Sequence, residues 1–553
     1  MKGASSRPEP TIQPCDQEHD APNELPAQLQ SEKRPNSSSG DGAAAQEGVK
    51  SYVELVLVTI SLGLSVFCMY LDTTILGTAS SRISTEFHSL QDVGWYASSY
   101  LLTSCIVQLP YGQLYNFYTA KWVFLGALGI FEIGSLICAT APTSAVLICG
   151  RSIAGIGSAG IFSGFYVVMG YSTPVQHRAL YNGILGSVPA IANVAGPVLG
   201  GVFTDRLSWR WCFYINLPVG GVAAICMLFT NAVKPSLKGA GWREKLDAFD
   251  LVGNAFLVPA LVCLMLPVQM GGTAPWEWGS ARVIALFVAS GVLAIIFGVH
   301  QVWRGDRALL PLRILRNRDL LAGAWFNLCI EGALLVVTYY LPIWFQAVRN
   351  ASAIKSGVMT LPTMLGLILT ATATGGLVAV VGYYTPFVIV SSIITPIGAG
   401  LLTTLAVDST TAHWLGYQVL NSVGVGIGCQ NVMLVPQFVV GPGDVPMAIS
   451  IFFFTRTLTS SIFLAVAQSI FQNQLAQILH SHTELSVDPA AVIHTGASQV
   501  SEKFSSDVLP IILDAYNSAL TRSFDVAIAL SALSILGSVG LSWRRINEGN
   551  RRK

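Results

Sequence analysis

Apolar runs of about 20 residues, each enough to cross a hydrocarbon core of roughly 30 Å, recur from near Leu55 to beyond Phe524. In lipid such runs become helices, which satisfy their own backbone hydrogen bonds where water is absent. Composition agrees: 52 % of the 553 residues are hydrophobic and 11 % charged, with a mean hydropathy of +0.57, far from an ordinary soluble domain. Hydropathy predicts fourteen spans, starting near Leu55, Val93, Trp122, Ala145, Ala179, Cys212, Leu251, Arg282, Leu320, Ser356, Pro386, His413, Met447 and Phe524. The chain reads as an all-α polytopic membrane protein.

Residues 1–50 are polar and rich in Pro, Ser, Gly, Gln and Glu, which predicts a disordered tail and no cleavable signal peptide. The ten cysteines show no paired spacing, and Cys68, Cys138 and Cys263 lie inside apolar runs. They read as small buried hydrophobes, with no disulfide framework and no metal site. Basic residues set the orientation. With the N-terminus inside, the inner segments carry Lys234, Lys238, Arg243, Lys245, then Arg304, Arg307, Arg313, Arg316 and Arg318, and finally Arg544, Arg545, Arg551, Arg552 and Lys553. The outer loops hold only scattered basic residues. Both termini are expected in the cytoplasm. Apart from the N-terminal tail, the sizeable extramembrane stretch is the outer one from about Gln472 to Arg522. Neither suits a catalytic domain, so no enzyme, cofactor or nucleic-acid partner is expected.

A weak internal repeat supports a two-part architecture. "GQLYNFYTAKW" (Gly112 to Trp122) closes span 2 and "GGLVAVVGYYT" (Gly375 to Thr385) closes span 10, with Gly112 and Leu114 in the frame of Gly375 and Leu377. Matching halves are then residues 51–232 (spans 1–6) and 304–543 (spans 9–14, with the outer loop 472–522). Spans 7 and 8, in 233–303, form an inserted pair, and 544–553 a basic inner tail. Two halves with a substrate site between them are a common plan for secondary transporters.

Four stretches carry a more specific likeness: "YLDTTILGTA" at the end of span 1, the "GQLYNFYTAKW" loop, "GRSIAGIGSAG" opening span 4, and "GSVPAIANVAGPVLGG" with "SWRWCFYINLPVGG" in spans 5 and 6. In these the chain resembles the major facilitator superfamily, in its fourteen-span drug:proton antiporter group and most closely the fungal toxin-efflux branch. In the second half the likeness rests on "YYLPIWFQAV" and the span pattern. The resemblance implies two six-helix halves plus two inserted helices, and a span-5 antiporter motif at Gly186, Gly196, Pro197, Gly200 and Gly201. Glycines let helices approach closely in lipid, and Pro197 favours a kink. The span would seal the outer half of the cavity and pivot during alternating access, or serve only as glycine packing. The span 2–3 loop departs from the family's G-x-L-x-D-R-x-G-R-R: Asn116 stands for the acid, Phe117 for the first arginine and Thr119 for the second glycine, with Lys121 alone keeping a charge.

Ionisable residues inside spans cost about 2.5–3.5 kcal/mol each, so each invites a reading. Asp72 near the outer end of span 1 and Arg151 in span 4 lie at similar depth, roughly 8–10 Å below the interface at 1.5 Å per residue. They are placed to pair, as a gate or a structural latch. Glu331 sits near mid-membrane in span 9, which by resemblance lines the cavity, and is the leading proton-coupling candidate, with Asp72 its rival. Glu132 in span 3, peripheral to the cavity, reads as structural. Arg456, in "FFFTRTLTSS", reads as a tie between helices or a cavity residue. Tyr339 and Tyr340 read as a cavity wall or interfacial belt, Trp344 as belt. Asn350 of "NAS" is a formal outer glycosylation site.

The reading that follows is a monomeric, proton-coupled exporter of hydrophobic small molecules: a secondary metabolite, mycotoxin or drug. Its expected place is the plasma membrane ahead of the vacuolar one. The alternatives are a nutrient or siderophore importer or exchanger, and a transporter-like sensor, for which the tails offer no sizeable signalling extension.

Overall fold

The computed structural model describes residues 40–89, 92–173, 178–230, 249–271, 276–305, 308–441, 443–481, 504 and 508–545. The expected tail over 1–39, the basic loop around Lys234–Lys245, Arg307 and the last eight residues lie outside the described residues. By contact pattern the chain divides into two units, Met1–Ser51 and Tyr52–Lys553. The first unit contributes the helical backbone of residues 40–51, so helix begins inside the segment expected to be disordered; everything below concerns the second.

The first half comprises α1 (Gly40–Phe87), α2 (Val93–Phe117), α3 (Ala120–Ala139), α4 (Ser144–Ser172), α5 (Arg178–Leu185), α6 (Val188–Arg206), α7 (Trp211–Tyr214) and α8 (Asn216–Leu228). The inserted pair is α9 (Leu251–Met270) and α10 (Ala281–Arg304), followed by the short α11 (Leu312–Leu315). The second half comprises α12 (Arg318–Ala347), α13 (Ala353–Met359), α14 (Leu361–Val381), α15 (Thr385–Thr403), α16 (Thr411–Val432), α17 (Val435–Val439), α18 (Val445–Ser481) and α19 (Leu509–Gly540). Among the described residues thirteen helical segments are long and apolar enough to cross a membrane. α2 completes the fourteen spans but falls short in apolarity, because Ser99, Ser104, Gln108 and Gln113 turn inward to protein. The chain is a multi-pass membrane protein.

Short polar caps set the turns. Thr143 accepts from Val146 N to open α4, Ser280 from Val283 N to open α10, and Asn317 from Asp319 N and Leu320 N to open α12; each satisfies a donor that the first helical turn leaves free. Two differences from the hydropathy reading concern the long outer stretch. α18 continues to Ser481 and α19 begins at Leu509, so helix replaces both ends of the expected 472–522 loop, and the last span opens well before Phe524. Asp514, Asn517 and Arg522 lowered the hydropathy of that segment, yet Ile512, Ala515, Tyr516, Ala519 and Leu520 form a buried stripe along it.

The face where α12 begins and α19 ends is called the tail face, and the opposite one the loop face. Asp319 marks the first, holding Ser542 through its backbone N (2.8 Å) and hydroxyl (2.7 Å). Close packing follows glycine. A Cβ on Gly134 would fall on the Ala154 backbone, joining α3 to α4; one on Gly424 would fall on Thr395, joining α16 to α15. Small residues at such crossings let helices approach where lipid offers no hydrophobic drive.

Three apolar clusters show how the halves meet. One runs through both halves on the tail side, from Leu62 and Phe124 to Val432 and Phe452. On the loop side the first half has its own cluster around Leu71, Ile75 and Phe213. The second half has another around Val336, Tyr340 and Phe524. The halves are thus fused at the tail face and largely separate at the loop face. Two seams make the join: α2 against α18, where Gly112 abuts Ser450 and Met447, and α5 against α14, where Gly183 abuts Ala371 and Thr372.

Candidate functional site

A cavity lies between the halves. The first half lines it with Tyr70, Phe162, Phe165 and Tyr166; across from them stand Leu334, Leu367 and the polar side chains below. Its charge is concentrated at one point. Glu331 of α12, 4 % exposed, takes an ion pair from Arg456 Nε of α18 at 3.2 Å. Cys429 Sγ of α16 donates to its other oxygen at 3.0 Å. Arg456 Nη2 then donates to Tyr70 OH at 2.9 Å, so one guanidinium links the carboxylate of the second half to the first. The same guanidinium sits 5.7 Å from the Phe162 ring centre. Tyr166 OH donates to Gln430 Oε1 at 3.0 Å, a second bridge between halves. A buried pair supplied with further hydrogen bonds can hold its charges at mid-membrane, whereas a single unpaired member would be strongly unfavourable. Among the described residues no cluster could hold a metal ion.

The second intramembrane pair is separate from the cavity. Asp72 Oδ2 of α1 pairs with Arg151 Nη1 of α4, both buried. Arg151 Nε donates to Tyr96 O at 2.9 Å, and its guanidinium lies 4.5 Å from the Tyr100 ring centre. Asn216 Nδ2 of α8 donates to Asp72 Oδ1 at 3.3 Å. Four elements of one half, α1, α2, α4 and α8, are tied at this point.

The span-5 motif separates into parts with different surroundings. The helix is interrupted at Gly186–Ser187 and resumes with Pro189 in its first turn, whereas α6 runs unbroken through Pro197. The break in the helix falls where Gly186 lacks a side chain and Pro189 lacks a donor. Gly186 faces Gln430 of the other half, and Gly196 faces Thr74 of α1. Gly200 is buried, while a Cβ on Gly201 would meet nothing, so Gly201 is not a packing residue. Gly183, passed over in the sequence reading, meets the backbone of the other half at Ala371 and Thr372, where Gly186 meets the end of a side chain.

The expected aromatic wall of span 9 is also displaced. Tyr340 is buried in the loop-side core and donates to Gln468 Oε1 at 2.8 Å. Trp344, read as belt, is 0 % exposed and donates to Asn517 Oδ1 at 2.8 Å. Tyr339 is 46 % exposed. Neither tyrosine lines the cavity; α12 presents Glu331 and Leu334 there, while beyond them Tyr340 and Trp344 turn into the bundle and Tyr339 turns outward. Asn350 is exposed at the loop face. In the eroded span 2–3 loop, Lys121 donates to Leu228 O and Thr230 O, both at 2.7 Å, closing the end of α8 in place of an acid–base lock.

Fourteen transmembrane segments in two joined halves, with a charge-paired cavity between them, define a transporter of the facilitator type. Residues 62–464 match the Major Facilitator Superfamily, and the chain belongs to that family. It is 45 % identical over 520 residues to the efflux pump roqT of Penicillium rubens, covering 93 % of this chain and 95 % of that one. It is 45 % identical over 514 residues to the MFS-type transporter astH of Aspergillus oryzae, covering 93 % and 91 %. The fold is shared with the proton:xylose symporter XylE (TM-score 0.57, 13 % identity, 89 % of this chain and 98 % of that). It is shared too with the human organic anion transporter MFSD10 (TM-score 0.52, 14 % identity, 87 % and 99 %).

Proposed function

We propose that the protein exports hydrophobic small molecules from the cytoplasm, driven by proton entry, and that Glu331 is the group whose protonation competes with substrate. The arrangement at Glu331 carries the reading. A carboxylate at mid-span is held by an arginine that also reaches the opposite half. A proton on Glu331 releases Arg456 from its ion pair, which loosens the link from α18 to Tyr70 and lets the halves part. The aromatic side of the cavity suits a flat, apolar molecule such as a secondary metabolite, mycotoxin or drug. Relatives named efflux pumps support the direction. In this reading the tail face meets the cytoplasm, because Arg304, Arg313, Arg316, Arg318 and Arg544 lie toward it, and the protein works as a monomer in the plasma membrane.

Purified protein in proteoliposomes, with Nile red as a neutral apolar probe and an imposed pH gradient, tests the reading. Wild type accumulates the dye against its gradient; Glu331→Gln still binds it but loses gradient-driven accumulation. Undiminished accumulation by Glu331→Gln removes Glu331 from the mechanism. Dye moving in the same direction as protons replaces export with import.

A further inference from the structure

Among the described residues three carboxylates turned away from lipid lie deep within spans, at Asp72, Glu132 and Glu331. Two are paired with arginines. Glu132 is not: both of its carboxylate oxygens are sealed from solvent and neither has a hydrogen-bond partner. It sits on α3 against α8, where Gly220 lacks a Cβ in the space that Glu132 Oε1 occupies. The glycine of the "NLPVGG" stretch therefore makes room for a carboxyl group. A buried carboxylate with neither donor nor counter-charge is among the least favourable groups in a membrane. The neutral acid fits the same space far better.

Hydrogen bonds one turn away on α3 lead to the first half's ion pair. Ser135, one turn along α3, accepts from Asn216 Nδ2 at 3.2 Å, and the same amide nitrogen reaches Asp72 Oδ1 at 3.3 Å. Cys68 of α1 lies beside the ladder, its Sγ 4.0 Å from Asn216 O. Among the charged side chains on the packed elements, Asp72 and Arg151 are bound to each other. Lys121 is at the far end of α3, on backbone carbonyls. The other titratable groups on α3 and the helices packed against it are thiols and phenols, among them Cys105, Cys138, Cys149, Cys212, Cys226, Tyr96 and Tyr100.

We propose that Glu132 is a second proton-binding site, in the first half, loaded and unloaded in the transport cycle alongside Glu331. The site takes a proton on a carboxylate oxygen and returns it as the same O–H bond breaks; no other bond changes. The proposal rests on proton-coupled export, and predicts that export uses one proton more than Glu331 alone supplies.

Two measurements test it, and Glu132→Gln serves both because the amide nearly reproduces the shape of the neutral acid. First, the acid-minus-alkaline infrared difference spectrum of the reconstituted protein carries a carboxylic C=O band from an apolar site, and Glu132→Gln removes that component. Second, each proton moved down a pH gradient of about one unit contributes roughly a factor of ten to the accumulation limit, so Glu132→Gln lowers the Nile red limit about tenfold with Glu331 intact. An unchanged difference spectrum, or accumulation to the wild-type limit, makes Glu132 a structural residue and overturns the proposal. If wild type shows no gradient-driven accumulation at all, proton-coupled export fails, and the infrared band alone decides whether Glu132 titrates.

Discussion

Asp72 and Arg151 illustrate what single residues reveal before any coordinates. Their shared depth was readable, because a charge in an apolar run has a definite distance from each end of its helix. Glu331 and Arg456 were each singled out as charges in apolar runs, but not as a pair; the structure shows one thirteen residues past Arg318 and the other eleven past Val445, on helices that both start at the tail face. Tyr70, Cys429 and Gln430 were not, because what brings them to the cavity is the rotation of each helix about its axis, which an almost uniformly apolar sequence does not encode. Removing one member of the Asp72–Arg151 pair strands the other, which costs about 3–5 kcal/mol at a buried site. Asp72→Asn and Arg151→Gln should each lower the thermal midpoint of the solubilised protein markedly, with a double variant well short of the sum. Additive losses, read by fluorescence-detected gel filtration on heating, would show that the two act independently.

Among elements, the broken fifth span separates glycines that look alike in sequence. Gly183→Leu wedges α5 from α14 and should reduce transport severely at normal membrane level. Gly196→Leu meets Thr74 and should reduce it too, whereas Gly201→Leu meets open space and should leave it nearly unchanged. Equal effects from all three, with flux normalised to surface protein, would make the motif's packing irrelevant. The inserted pair has its own anchor. Asp250, in a left-handed conformation (φ 41°), caps α9 and shares a 2.8 Å hydrogen bond with His300 of α10. It also accepts from Gln301 Nε2 at 2.9 Å and from Leu309 N at 3.2 Å. Burial pushes this carboxyl up, but the hydrogen bonds from His300, Gln301 and the backbone outweigh it and hold it below the usual carboxylate range. A depressed carboxyl stabilises fully above its unfolded value and loses that contribution as the pH falls through the folded one. Wild type should therefore lose thermal stability below about pH 4 more steeply than Asp250→Asn, which starts lower at neutral pH. Parallel pH profiles for the two proteins would sink this.

For the whole molecule, the number of spans and the two-half plan were legible because each crossing needs its own apolar run. The extent of the last span was not, since a buried stripe flanked by the exposed Asp514 and Arg522 resembles a loop to a hydropathy window. The fused tail face and the divided loop face depend on contacts between distant segments and have no local signature. With the tail face in the cytoplasm, a cysteine at Ser236 in a cysteine-free background should resist impermeant maleimide in sealed cells and react after permeabilisation. Strong labelling in sealed cells inverts the assignment.

The Asp72–Arg151 pair also bears on how the chain is made. The two residues are 79 positions apart, so during synthesis the first span reaches the insertion machinery long before its counter-ion exists. Until the fourth span emerges, α1 carries a lone acid into lipid and is best sheltered by the insertion channel or a chaperone. A nascent chain that stops after α3 should be recognised as defective and degraded, while one that extends through α4 should survive. In this protein the order of translation is therefore a constraint on assembly, and the fourth helix is the earliest point at which the first can be left alone in the bilayer.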